Sequence, residues 1–159
     1  MKRDKIIFLL SMLVLSTFFA CQKDFNERYL LTENSIEFED ATTTTVAVGK
    51  DYPIVTRTIS PTNTEVSFQI NLSGSQFSEN QTLAFRIVDS ETTSVEARDF
   101  TIAGGKVIVL AKGSSKGSIK IQSLGTGVGS TLLVLELVGN DKVKVSKNYS
   151  RVALRCIYP

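Results

Sequence analysis

After an apolar N-terminal segment, the chain is a succession of short stretches in which apolar and polar residues alternate. The clearest is residues 65–72, where Val66, Phe68, Ile70 and Leu72 occupy every second position and polar residues lie between them. Successive side chains of a β-strand point to opposite faces, so this pattern predicts a strand with one face toward a core. Several short strands separated by turn residues are typical of a sandwich or barrel.

Further short β-type runs separated by turn residues predict strands at residues 35–39, 43–48, 52–59, 82–88, 106–110, 118–122 and 149–158. The Leu-rich residues 131–138 fit a buried helix or a strand, but eight residues between two glycines is strand length, which favours a central strand. Residues 112–117 predict a hairpin loop. The resulting fold class is all-β, an antiparallel sandwich of nine or ten strands that places Cys156 on an inward face.

Residues 1–20 have the pattern of a cleaved signal peptide. A basic start precedes fourteen mostly apolar residues, which as a helix span about 21 Å and fall short of the roughly 30 Å hydrocarbon core. Ala20 directly before Cys21 resembles a lipobox, in which the cysteine is lipidated and the chain is cut before it. Phe18 stands where the common pattern has Leu, and the alternative is an ordinary secretory signal with a coincidental cysteine.

The residues after Cys21 resemble the export signal of surface lipoproteins in Bacteroidota-type bacteria, carried here by Lys23, Asp24 and Glu27. The resemblance implies an outer-membrane protein that faces the cell surface, and a polar tether without an address, facing the periplasm, is the alternative. We therefore divide the chain into a signal peptide at 1–20, a lipidated cysteine and tether at 21–34, and one β-sandwich domain at 35–159.

Charge argues against nucleic acid as a partner. Three of the 18 basic residues and one of the 16 acidic residues lie within residues 1–20, so the remaining chain carries 15 of each. A near-neutral chain without Lys/Arg runs lacks the electrostatic footprint that nucleic-acid binding needs.

Composition moves the prediction away from catalysis. The chain has no His, the commonest general base and metal ligand, and no Trp to stack against sugars. Residues 125–129 are Gly-rich, but a phosphate loop needs a helix after the glycines, and the following pattern is β.

The carboxylates Asp89, Glu91, Glu96 and Asp99 lie in predicted connections, where solvated charge is the ordinary explanation. Tyrosines 52, 149 and 158 are ligand contacts if exposed and packing residues otherwise.

Residues 97–141 carry a family resemblance. Ala97-Arg98-Asp99-Phe100, a strand and a glycine-containing turn, then a Leu-rich strand, resemble the second half of Calx-beta-like domains. The chain is also similar to small Bacteroidota-type surface lipoproteins with immunoglobulin-like sandwiches, a resemblance that implies an immunoglobulin-like fold and an association with glycan uptake.

Calcium-binding Calx-beta domains gather acidic residues at one end of the sandwich. The candidates here are Glu37, Glu39, Asp40 and Asp51, which we interpret as solvated charges because hard cations need several converging oxygens. We expect no metal, no cofactor and no enzymatic activity. The expected function is a membrane-anchored binding or accessory module that engages a glycan. The alternative is a structural or adhesion module docking on another envelope protein.

Overall fold

The computed structural model describes residues 33–60, 64–125 and 129–158. These residues form ten β-strands, one short α-helix, α1 (Glu39–Thr43), and one 3-10 helix (Asp89–Glu91). Within the described ranges, no helix has the length and apolar character required to span a bilayer. The all-β sandwich expected from the alternating pattern is confirmed, and its strands are divided between two five-stranded sheets.

The first sheet has the strand order β5-β7-β3-β1-β9. Its strands are β1 (Ser35–Phe38), β3 (Glu65–Ser73), β5 (Phe100–Ile102), β7 (Lys116–Ser123) and β9 (Lys144–Val145). The second sheet has the order β2-β10-β8-β4-β6. Its strands are β2 (Ile54–Thr58), β4 (Gln81–Ile87), β6 (Val107–Leu110), β8 (Ser130–Val138) and β10 (Arg151–Ile157). Pairing is antiparallel except at β1 with β9 and β10 with β2.

The predicted period of two is visible in the burial of β3. Val66, Phe68, Ile70 and Leu72 are all buried, while the residues between them face solvent wholly or in part. The inward residues of both sheets form one core, in which the rings of Phe38 and Phe68 meet edge to face with centroids 6.2 Å apart. Facing apolar rows therefore hold the two sheets together.

Strand β8 is the central strand of its sheet, as predicted, and its middle is buried on both faces. Leu133, Leu135 and Leu137 point into the core, while Val134 on the opposite face is also fully buried. Because the middle of the strand is covered on both sides, both of its faces are apolar there, which explains why the run at residues 132–135 lacks alternation. Cys156 on the neighbouring β10 is 4% exposed, so its predicted inward position is confirmed.

The strand predicted at residues 43–48 is wrong. Residues 39–43 form helix α1, where the hydroxyl of Thr42 donates to the carbonyl of Glu39 at 2.8 Å, and the chain then runs as an irregular loop. Val48 is fully exposed at a turn in which Gly49 has a φ of 74°. The segment is a run of β-branched threonines and valines around Ala47, and Val46 and Val48 are both exposed, so its β-type composition does not correspond to a buried strand.

The connection between β6 and β7 is a loop at residues 111–115, shorter than the predicted 112–117, and it does not close a hairpin. Strand β6 before it belongs to the second sheet, and strand β7 after it belongs to the first. Gly117 lies close against β6, where a Cβ would be 3.0 Å from side-chain atoms of Ile108 and Leu110. The loop therefore carries the chain across the edge of the sandwich from one sheet to the other.

Candidate functional site

Residues 88–95, here called the strap, continue along β8 beyond the end of β4. The backbone N–H of Val88 donates to the carbonyl of Val134 at 2.9 Å, and that of Thr93 donates to Leu132 at 2.7 Å. In return, the hydroxyls of Thr92 and Thr93 accept hydrogen bonds from the N–H groups of Val134 and Leu132. Threonine side chains thus replace the carbonyls that a regular strand would supply, and the strap is attached to the central strand.

Glu91 attaches the strap to the loop that precedes β2 and to the start of β10. Its Oε2 accepts from the hydroxyl of Tyr52 at 2.7 Å and from Nζ of Lys50 at 2.8 Å, and its Oε1 accepts from Arg151. Arg151 also donates to Asp51 at 3.0 Å. Hydrogen bonds from Lys50, then Tyr52 and Arg151, lower the pKa of Glu91 from 4.5 to about 2, so its carboxylate stays ionised at neutral pH.

The ring of Tyr52 covers part of the outer face of the second sheet. It is 1% exposed and belongs to a small apolar cluster with Val134 and Ala153. The guanidinium of Arg151 lies 4.7 Å from the ring centroid, within cation–π range. Burial and the bond to Glu91 raise the pKa of the Tyr52 hydroxyl, which therefore remains a proton donor.

The loop after the strap is fixed by a buried aspartate. Asp99 is 1% exposed, accepts from the N–H of Val95 at 2.8 Å, and forms two hydrogen bonds with the guanidinium of Arg98. These bonds, with Arg98 the largest cause, lower the pKa of Asp99 despite its burial. Ala97, which lies between Val95 and Asp99 in this loop, has a φ of 65°, a backbone region that favours glycine. The solvated charge predicted for Asp99 is therefore wrong, because its carboxylate organises the loop.

A cavity of about 260 Å³ lies between the strap, this loop and the start of β6. Ile87, Val95 and Phe100 provide apolar surface, and Phe100 itself is almost fully buried. Polar lining comes from the strap residues Asp89, Thr92 and Ser94 and from Glu96 and Lys106.

The charges in this pocket are only partly compensated. Nζ of Lys106 lies 3.6 Å from a carboxylate oxygen of Glu96, and both side chains are about half exposed. Within the described ranges, the carboxylate of Asp89 has no hydrogen bond or ion pair. The pocket therefore offers one uncommitted carboxylate, a loose ion pair and two hydroxyl-bearing side chains beside an apolar surface.

The predicted anchor residues Ala20, Cys21, Lys23, Asp24 and Glu27 lie outside the described residues, as does most of the Gly-rich loop at 125–129. The lipid anchor and the export signal therefore stay predictions.

The four candidate calcium ligands do not gather into a group. Asn71 donates to Glu39, and Arg151 donates to Asp51, so both carboxylates have partners within the fold. Across the described residues, no three His, Cys, Asp or Glu side chains converge as a metal site would require.

The three candidate tyrosines differ in their exposure to solvent. Tyr52 and Tyr158 are buried and pack, whereas Tyr149 is 39% exposed. The Glu91 network cannot be recognised from the sequence pattern, because its members lie in three separate segments. The one local signal was a Lys50-Asp51-Tyr52 triplet that combines two charges with an aromatic residue.

Comparison with known proteins identifies the fold. No protein-family model matches this sequence, and no curated protein matches it. The chain is similar to the crystal structure of the apo form of the Calx CBD1 domain, with a TM-score of 0.57 and 12% identity, over 80% of this chain and 98% of that one. It is also similar to CBD12 from CALX1.2, with a TM-score of 0.55 and 11% identity, over 78% of this chain and 45% of that one.

These similarities show the fold alone, and the fold is that of a Calx-beta domain. The resemblance that the sequence carries at residues 97–141 is thereby confirmed at the level of architecture. Asp99 and Phe100, its aspartate–aromatic pair, are both buried, and Asp99 fixes the loop that follows the strap.

Proposed function

We propose that this protein is a non-catalytic binding lipoprotein that holds a small polar ligand, such as one sugar unit of a glycan, in the pocket beside the strap. The observation that carries the proposal is a cavity with apolar surface from Ile87 and Val95 and a polar lining that includes Asp89 and Lys106. Binding sites for small molecules combine a concave apolar surface with a few convergent polar groups.

The size of the cavity supports a small ligand. Its volume of about 260 Å³ is just below the roughly 300–1,000 Å³ typical of sites for drug-sized molecules. A sugar ring presents hydroxyls to Asp89, Thr92 and Ser94 and C–H groups to the apolar surface. An extended oligosaccharide would continue outside the pocket.

The way the strap is held supports binding rather than catalysis. Glu91, whose pKa is lowered to about 2, is not among the pocket-lining residues and is occupied by three donors. Its contribution is to keep the strap in place, so that ligand groups meet a preorganised wall and lose less conformational entropy on binding.

Display at a membrane completes the proposal. Lipid on Cys21 would hold the domain at the outer membrane, and Lys23, Asp24 and Glu27 would direct it to the cell surface. Residues 22–34 reach at most roughly 45 Å when extended, which lets the pocket meet glycans near the bilayer. Intact mass of the protein from its native cells tests the anchor: the mass of a chain beginning at Cys21 plus acyl groups is expected, and an unmodified Cys21 contradicts it.

A glycan array followed by calorimetry with free sugars tests the pocket. We expect Asp89→Asn and Lys106→Gln each to weaken binding about tenfold, because each removes a hydrogen-bonding charge from the site. Asp141→Asn and Lys120→Gln are matched controls on exposed residues that do not line the pocket, and they should bind as the parent does. A flat array, or equal loss in the controls, would contradict the proposal.

A second candidate function, docking on another envelope protein, is favoured by a different observation. Strand β2 ends its sheet, and β10 is its one neighbouring strand among the described residues. An edge of this kind is a template for an added strand.

A further inference from the structure

Hydrogen bonding shows which side of β2 is unpaired. The N–H of Ala153 donates to the carbonyl of Pro53 at 3.0 Å, and the N–H of Ile59 donates to the carbonyl of Ile157 at 2.8 Å. In a parallel pair, alternate residues of a strand direct both N–H and C=O toward the neighbour. The odd-numbered residues of β2 therefore face β10, and the even-numbered residues face away.

Three residues of β2 consequently present backbone groups at the edge: Ile54, Thr56 and Thr58. Thr56 and Thr58 are exposed, and Ile54 is partly buried. The guanidinium of Arg57 donates to the carbonyl of Thr56 at 3.1 Å. Apart from that bond, the described part of the chain supplies no partner to the outward backbone groups of Thr56 and Thr58.

The charges around this edge are also unbalanced. Arg57 and Arg155 are exposed, and neither forms an ion pair with a carboxylate of the described residues. Both lie beside Thr56, Arg57 as its chain neighbour and Arg155 as its partner on β10. The other three arginines in the described ranges do form such pairs: Arg86 with Glu136, Arg98 with Asp99, and Arg151 with Glu91.

We infer that the β2 edge binds an extended, carboxylate-bearing segment of a partner protein as an added strand. Main-chain hydrogen bonds to Thr56 and Thr58 would supply affinity without sequence preference. Arg57 and Arg155 would select acidic side chains, because guanidinium and carboxylate groups form paired, charge-assisted hydrogen bonds. Charge complementarity thus points to an acidic strand and away from a second copy of this edge, whose own arginines would be brought close together.

This inference rests on the second proposed function and names the chemistry of its partner. The probes are three fluorescein-labelled peptides with blocked ends in which two consecutive glutamates, glutamines or lysines lie between valines, so that the added strand carries one such side chain on each face. Fluorescence anisotropy with the full-length chain in detergent measures their binding. We expect the glutamate peptide to bind most tightly and to weaken with added salt.

Thr56→Pro is the decisive variant. It removes one outward N–H without touching the ladder to β10, and proline is tolerated on an edge strand at such a position. We expect about tenfold weaker binding of the glutamate peptide for this variant and unchanged binding for Thr56→Val.

Arg57→Gln and Arg155→Gln should each weaken binding of the glutamate peptide about threefold, whereas Lys120→Gln, which removes the same charge elsewhere, should not. Unchanged melting temperatures confirm that the variants are folded.

The outcomes separate the inference from the docking function. If the three peptides bind equally and Thr56→Pro weakens all of them, the edge docks strands but the acidic preference is overturned. If Thr56→Pro leaves binding of every peptide intact, or if none binds, both the inference and edge docking are overturned. Concentration-dependent dimerisation of the chain that Thr56→Pro abolishes would assign the edge to a second copy and overturn the acidic partner.

Discussion

The hydroxyl of Tyr52 donates to the carboxylate of Glu91 at 2.7 Å, across 39 positions of sequence. Tyr52 comes from the loop that precedes β2, and Glu91 comes from the 3-10 helix within the strap. The bond therefore joins two connections over the outer face of the second sheet. Asp89, two residues before Glu91, lines the pocket, so the same contact that covers the sheet also positions one wall of the proposed binding site.

Replacing Tyr52 by Phe removes this hydrogen bond and keeps the buried ring. We expect Tyr52→Phe to lower the free energy of unfolding by about 1–2 kcal/mol, because Glu91 loses one of its donors in a partly buried setting. Tyr149→Phe is the matched control, since that ring is 39% exposed, and it should change stability by less than about 0.5 kcal/mol. Chemical denaturation measures both, and equal effects would contradict a specific role for the bond.

The lowered pKa of Glu91 makes a prediction about acid stability. A carboxyl group whose pKa is lower in the folded state contributes stability above its unfolded pKa and loses it as pH falls through the folded one. For Glu91 this window runs from about 4.5 down to about 2. We expect Glu91→Gln to be less stable than the parent at pH 7 and to lose less stability between pH 4.5 and 2. Parallel stability curves over that interval would rule out this role.

Many of the strands follow from local pattern, because the residues that a strand buries occupy every second position of one continuous segment. Val66, Phe68, Ile70 and Leu72 were placed correctly for that reason, and so was Cys156 on the last strand. The same reasoning failed at residues 43–48, where a run of β-branched threonines and valines lies outside any strand and Val46 and Val48 face solvent. Periodicity reports which residues share a face, and it does not report whether anything covers that face.

The site was much less predictable, because its contacts are long-range. Glu91 binds residues 50, 52 and 151, and no spacing in the sequence links these segments. Asp99 was interpreted as solvated because it lies in a connection, yet the loop folds over it and supplies the N–H of Val95. The parallel pairing of β2 with β10, which defines the open edge, was likewise outside the reach of an alternating pattern.

Ala97 provides a test of backbone strain beside the pocket. Its φ of 65° is accessible to glycine without cost, is tolerated by alanine, and is poorly compatible with a β-branched side chain. We expect Ala97→Val to destabilise the protein by about 1–3 kcal/mol. Ala97→Gly should stay within about 1 kcal/mol of the parent, since relief of strain is offset by a more flexible unfolded chain. Equal stabilities for the two variants would show that residue 97 adopts an ordinary conformation in solution.

The two cysteines allow the fold and the anchor to be tested in one experiment. Cys156 is 4% exposed, and burial raises the pKa of its thiol, so little of the reactive thiolate forms and reagents have poor access to it. We expect no reaction with a thiol reagent at pH 8 in the native protein and full reaction of Cys156 after unfolding. If Cys21 carries lipid on its sulfur, protein from native cells will show one reactive thiol when unfolded, the same number as the Cys21→Ala variant. Two reactive thiols in the unfolded native protein would contradict acylation of Cys21, and a reactive thiol in the folded Cys21→Ala variant would contradict the buried position of Cys156.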